Sequence, residues 1–155
     1  MKTVLPLFLL LLLALPLHAE IRGDVRLGAF IGGNDDPVGT VELEARYHGW
    51  SLAPAIEAIQ GGYGTHATHI NLRKLFQTTK NTYWIGAGPT FVRTNNPSSE
   101  HTWNIDAGMA WRLRDGAWEP FFAVRYYNFK VPVFRDEVEE KGAVLQLGIS
   151  RRFLK

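Results

Sequence analysis

Cysteine is absent from the 155 residues, which excludes disulfide stapling, thiol catalysis and thiolate metal ligation. After the first segment, no apolar run reaches the ~18 residues that suggest a membrane-spanning helix, and no stretch keeps a helical period. Charge of one sign is not in surplus either. The formal net charge is +2, too small to point to nucleic acid as a partner. A chain so built crosses a membrane, if at all, with strands.

The first segment is different in kind. Lys2 is followed by an apolar run from Val4 to Leu15, and Pro16-Leu17-His18-Ala19 ends in a small residue suited to signal-peptidase cleavage. The run is short for a spanning helix, which needs roughly 20 residues. Residues 1–19 are therefore expected to be a signal peptide, and residues 20–155 one domain.

From Asp24 onward the pattern has a period of two, punctuated by turn residues. It predicts strands over residues 24–32, 38–48, 52–60, 66–76, 82–93, 101–113, 118–129 and 142–153, most near the 9–11 residues of a tilted transmembrane strand. Connections at 48–51, 77–81 and 114–117 are tight, the last with an Asp-Gly turn pair. Those at 33–37, 61–65, 94–100 and 130–141 are longer and polar. Short turns on one rim and longer loops on the other match an eight-stranded, all-antiparallel, up-and-down barrel of the outer-membrane type.

The faces sort consistently. Val25, Leu27, Ala29 and Ile31 alternate with Asp24, Arg26, Gly28 and Phe30, and Val41, Leu43, Ala45 and Tyr47 alternate with Glu42, Glu44, Arg46 and His48. Alternation alone does not say which face is outside. A lipocalin-like periplasmic binder would turn the apolar face inward, a membrane barrel outward. Three features favour the membrane. Arg26, Arg46, Arg73, Arg112 and Arg125 share the polar face with Glu42, Glu44, Glu57 and Asp106, a set able to pair as a charge network that plugs a narrow lumen. Glycines on that face suit a crowded interior. Aromatics gather at the strand ends, Tyr47, Trp50, Phe76, Tyr83, Trp111, Trp118 and Phe153 on the short-turn rim and Phe91, Trp103 and Tyr126 towards the other, like two interfacial girdles. Pro89 inside the fifth strand predicts a bulge or local break. Pro54 and Pro120 are read as near strand starts.

With the leader, the strand count and the near-terminal Phe153, the chain resembles small eight-stranded outer-membrane barrels of the OmpA, OmpX and lipid A deacylase (PagL-like) type. Leu52-Ala53-Pro54, Gly86-Ala87-Gly88-Pro89 and Phe122-Ala123-Val124-Arg125-Tyr126-Tyr127 are most similar to the deacylase branch. The resemblance implies the bacterial outer membrane as location, outer-membrane lipid and lipopolysaccharide as surroundings, and the barrel-assembly machinery as a partner. In the deacylase branch a His-x-Ser-Asn motif late in the seventh strand supplies a Ser-His-Glu type site. Here that stretch is Tyr126-Tyr127-Asn128-Phe129-Lys130, with neither nucleophile nor base, so the esterase activity does not carry over.

A serine hydrolase needs a hydroxyl, a base and an orienting acid within reach of one another. Ser99-Glu100-His101, with His66 at a similar height, is the one local arrangement of that kind, and a solvated loop end is the commoner meaning of such a triplet. His66 and His69 point to opposite faces of a strand and cannot share a metal. His69 is expected as an interior hydrogen-bond partner beside Asn71, His66 at the rim, and His48 in a turn. Residues 130–141 read as a solvated charged loop, with Lys130 and Arg135 as phosphate partners if it meets lipopolysaccharide. The expectation is a monomeric structural or surface-interaction barrel with no cofactor. The alternatives are a lipid A deacylase-like hydrolase and a lipocalin-like binder.

Overall fold

The computed structural model describes residues 19–31, 36–60, 65–93, 99–113, 117–133 and 136–154, without the side chains of Ser99 and residues 129–141. The leader up to His18 and most of the longer loops, Arg135 among them, lie outside the described residues. So do Arg114, Asp115 and Gly116 of the third tight turn.

Eight strands form a closed antiparallel barrel in sequence order. They are β1 (Glu20–Ile31), β2 (Pro37–Tyr47), β3 (Trp50–Ile59), β4 (Thr65–Gln77), β5 (Asn81–Arg93), β6 (Ser99–Trp111), β7 (Trp118–Val133) and β8 (Asp136–Leu154). Closure runs through β1 and β8, where Val25 faces Ile149 and Leu27 faces Leu147. A closed ladder leaves no free edge and pairs the backbone within the sheet.

The period of two assigns the faces. Val25, Leu27, Val41, Ile56, Leu72, Ile85, Ile105 and Leu147 stand exposed on the outside, while Arg26, Glu42, Glu57, Arg73, Asp106 and Arg125 are buried within. The apolar face is thus outward, the reverse of a lipocalin-like barrel. The aromatics of both expected girdles are exposed on the outer wall, from Trp118 at 36 % to Trp103 at 72 %.

Each proline interrupts one ladder and spares the other. Pro89 pairs with Trp103 of β6, while pairing between β4 and β5 lapses from His69↔Thr90 to Leu72↔Ala87 with no change of register. The result is a local break and not a bulge, because only the missing N–H is lost. Pro54 lies mid-strand in β3, contrary to expectation, and there β2–β3 pairing lapses between Glu42↔Ala55 and Ala45↔Leu52. Pro120 pairs with Ile149 of β8, whereas pairing with β6 stops at Phe121. His48 and Gly49 have φ of 47° and 75°, the left-handed pair that closes a tight hairpin whose twist matches its strands.

Within the segment 130–141, expected as a loop, residues 130–133 extend β7 and residues 136–141 extend β8. Their register continues to Val133↔Asp136, whereas β6 pairs with β7 only as far as Tyr127 and β1 with β8 as far as Ala143. From Asn128↔Lys141 onward the backbone ladder joins β7 to β8 alone among the described residues, a ribbon of about 20 Å at ~3.3 Å per residue, with Asn128 Oδ1 still accepting from Thr102 of β6 at 3.0 Å. Val131, Val133 and Val138 favour extended backbone, a signal hidden by the acids around them.

Candidate functional site

The interior is built from side chains that project at alternate positions from all eight strands. Its centre is Glu42 on β2. This carboxylate accepts from Arg73 of β4 at 2.8 Å and from Arg26 of β1, and it ion-pairs with Arg125 of β7 at 3.3 Å. Arg73 also donates to Asp106 of β6 through Nε at 2.8 Å. Gly86 makes room for that pair: a Cβ there would lie 2.8 Å from the Asp106 Oδ1 atom. The guanidinium planes rest on aromatic rings, Arg26 over Phe121 at 4.8 Å and Arg73 over Trp84 at 5.6 Å, as weakly hydrated planar cations do.

Towards the loop side, Glu57 of β3 is the second hub. It accepts from Arg125 at 3.0 Å, Tyr127 Oη at 2.5 Å, Thr40 Oγ1 at 3.0 Å and Gln146 Nε2 at 3.2 Å. His69 Nε2 lies 3.5 Å from Glu57 Oε1, and His69 Nδ1 lies 2.8 Å from Thr90 Oγ1. Asn104 Nδ2 donates to Asn71, Thr90 and the Gly88 carbonyl at 2.8, 2.9 and 3.0 Å. Towards the turn side, Arg46 pairs with Glu44 at 2.7 Å and Glu119 at 3.1 Å, and Arg22 pairs with Glu119 at 3.0 Å.

Buried guanidiniums at Arg22, Arg26, Arg46, Arg73 and Arg125 thus interleave with buried carboxylates at Asp24, Glu42, Glu44, Glu57, Asp106 and Glu119. Desolvating such charges costs several kcal/mol per ion unless their partners are close. Shared carboxylates bridging several cations meet that condition. The cavity lined by Asp24, Arg26, Glu44, Arg46, Arg73, Trp84, Ala110, Phe121 and Ser150 measures ≈ 10 Å³, about what one water requires.

The structure brings Arg26, Glu42, Glu44, Arg46, Glu57, Arg73, Asp106 and Arg125 into this interior. Arg112 is the exception. It lies one residue beyond β6, its side chain is 30 % exposed and it reaches Glu119 at 3.7 Å, which makes it a rim residue. The network expected from sequence lacks Arg22, which precedes the first predicted strand, Asp24 at that strand's first position, and Glu119, which stands beside Pro120 at a strand start. The charge of each on an inward position was the available signal.

Ser99, His101 and His66 are not assembled into a catalytic set. His66 and His101 are exposed on β4 and β6 with β5 between them, about 10 Å apart at two strand spacings. His101 packs its edge against Phe91 at 5.1 Å. Ser99 is placed by its backbone alone, opposite Arg93. A hydroxyl, imidazole and carboxylate do line up in Thr90, His69 and Glu57, but each is fully buried at 0 % exposure. No substrate reaches them, and within the line only His69 Nδ1 and Thr90 Oγ1 are hydrogen-bonded, His69 Nε2 lying near Glu57 without a bond to it. Among the described residues no group of His, Asp and Glu has the geometry to hold a metal ion.

No protein-family model and no curated protein matches the sequence. Solved structures match in fold. The N-terminal β-barrel domain of Pseudomonas aeruginosa OprF aligns with a TM-score of 0.65 at 11 % identity, covering 86 % of this chain and 97 % of that one. Neisserial surface protein A aligns at 0.59 and 10 % identity over 87 % and 97 %. The outer-membrane enzyme PagL aligns at 0.58 and 11 % identity over 85 % and 99 %. At such identities the likeness concerns architecture, and the chain has the closed eight-stranded antiparallel barrel fold of small outer-membrane proteins.

Proposed function

We propose that the protein is exported through its leader, cleaved after Ala19, and inserted in a bacterial outer membrane as a monomeric, non-conducting barrel. Its role there is structural or one of surface interaction, carried by its lipid-facing wall and loop side. The observation that carries this reading is the distribution of chemistry across the wall. Charge fills the lumen, apolar side chains cover the outside, and aromatics mark both rims, an arrangement that is stable only with hydrocarbon around the barrel.

The ion-pair network supports the absence of conduction, since an eight-stranded lumen is filled by its own side chains. The hydrolase alternative gains no residue from the geometry: in the stretch corresponding to the deacylase-type motif, Tyr126 stands on the outer wall and Tyr127 is buried and bonded to Glu57, with neither nucleophile nor base at either place. The test is fractionation of the expressed protein, gel mobility with and without boiling, and current recording in planar bilayers. Sedimentation with outer membranes, a heat-dependent shift and no steady current are expected. A soluble product without the shift overturns the membrane reading, and steady current overturns the plugged lumen.

A further inference from the structure

We propose that the loop-side outer wall of β4–β6 is a discrete binding site for the phosphate of a lipid headgroup in the surrounding leaflet. The inference rests on the membrane reading above and adds a location, a ligand class and the residues that recognise it. Among the described side chains, no carboxylate stands on the outward face of the strands. The charged or imidazole side chains there are Lys74 and Arg151 towards the turn side, and His66, Arg93 and His101 towards the loop side. Lys74 and Arg151 sit over girdle rings, Lys74 over Trp50 at 4.6 Å and Arg151 over Trp118 at 5.1 Å.

The loop-side group differs in being gathered on three adjacent strands. His66 is directly opposite Arg93, and Phe91, one step below Arg93 on the same face, is directly opposite His101. Cross-strand neighbours lie about 5 Å apart at Cβ and diagonal ones about 7–8 Å, so all three heads reach an anion the size of a phosphate. No ion pair joins any of them to a carboxylate among the described side chains. Elsewhere on the same rim the outward positions with described side chains, such as Ile31, Tyr126 and Ala143, are uncharged.

Beneath the basic group the wall is apolar. Phe91 is 40 % exposed, Trp103 72 %, Ile105 57 % and Ile56 66 %. A phosphate held by Arg93 and the two imidazoles would therefore place its acyl chains along Phe91 and Trp103. The occupant is a phosphorylated amphiphile. Arg93 supplies the charge-assisted, fork-shaped hydrogen bonds that suit phosphate, and the apolar strip below supplies affinity that free phosphate cannot use.

The test uses the refolded full-length barrel in phosphatidylcholine nanodiscs doped with bisphosphoryl lipid A, dephosphorylated lipid A or phosphatidylglycerol. Retained lipid is counted by native mass spectrometry. Phosphate-bearing lipid should be retained by the unmodified protein, roughly tenfold less by Arg93→Ala, and again by Arg93→Lys in part. Lys74→Ala, on the opposite rim, should retain as the unmodified protein does, and millimolar inorganic phosphate should not displace the lipid. Equal retention by Arg93→Ala, or equal retention of the dephosphorylated lipid, overturns the site. Displacement by inorganic phosphate overturns the lipid as its occupant. Each variant is also run with and without boiling: a kept mobility shift with unchanged retention defeats this site alone, whereas loss of the shift in the unmodified protein defeats the membrane reading.

Discussion

The two ends of the barrel interior are filled by opposite chemistry. On the loop side, Phe30, Val38, Ile59, Ala67, Val92 and Val144 pack with Tyr127 into an apolar cap. From the middle to the turn side the filling is arginine and carboxylate, against a wall of Leu75, Trp84, Ala110, Phe121 and Ala123. Tyr127 joins the two regions, with its ring 5.9 Å from Phe30 and its hydroxyl on Glu57 at 2.5 Å. The difference teaches how a charged interior is kept dry. An apolar lid excludes water from one end, and in the low-dielectric space below it each ion pair is stronger and each unpaired charge costlier.

The comparison can be broken most forcefully at its charged end. Glu42→Ala removes the carboxylate shared by Arg26, Arg73 and Arg125, and leaving buried charge uncompensated should cost about 3–5 kcal/mol. Urea unfolding of the refolded barrel in lipid vesicles would show this as a large fall in midpoint, and failure to refold is the extreme of the same result. An unchanged midpoint would mean that the network is ornamental. Tyr127→Phe cuts the link between the regions while keeping the ring, and should cost about 1.5–3 kcal/mol as the loss of a hydrogen bond to a charged group.

Within the cap, Val92→Ala removes two methyl groups, and should cost roughly 1.5 kcal/mol at ~0.8 kcal/mol per methylene. Because the ion pairs beneath still fill the lumen, this variant should carry no steady current in planar bilayers. Current through Val92→Ala would move the plug from the charged layer to the cap. The smallest effect is expected at the rim. Arg112→Ala gives up a half-solvated pair with Glu119 and should change stability by about 0–1 kcal/mol, measured in the same urea assay. A larger loss would extend the buried network to the barrel's mouth.

The contrast between the ends was the least legible part of the sequence. Strands and faces were readable because the side-chain period of two repeats without interruption: Val25, Leu27 against Asp24, Arg26, and Leu145, Leu147 against Gln146, Ser150. Phe30, Val38, Ile59, Val92 and Val144 fall on the same inward register as the charges, so the pattern says that they face in but not that they meet. Arg112 shares the parity of Asp106, which predicts it in the lumen, yet β6 ends at Trp111 and leaves it at the rim. The extended β7–β8 hairpin was hidden for a different reason, since acids at Asp136, Glu137, Glu139 and Glu140 resemble a loop when neighbouring strands are not considered.

By itself, the sequence determined the class of fold, the number of strands and which side chains of a strand share a face, because alternation is a local property of an extended backbone. Which guanidinium meets which carboxylate was decided only by tertiary structure. Glu57 and Arg125 come from strands far apart in the chain, and their meeting depends on the closure of β1 on β8 and on the stagger of every ladder between them. The same stagger sets His66 beside Arg93 on the outer wall. Pairings of that kind depend on the register between strands, which the pattern along any one strand does not contain.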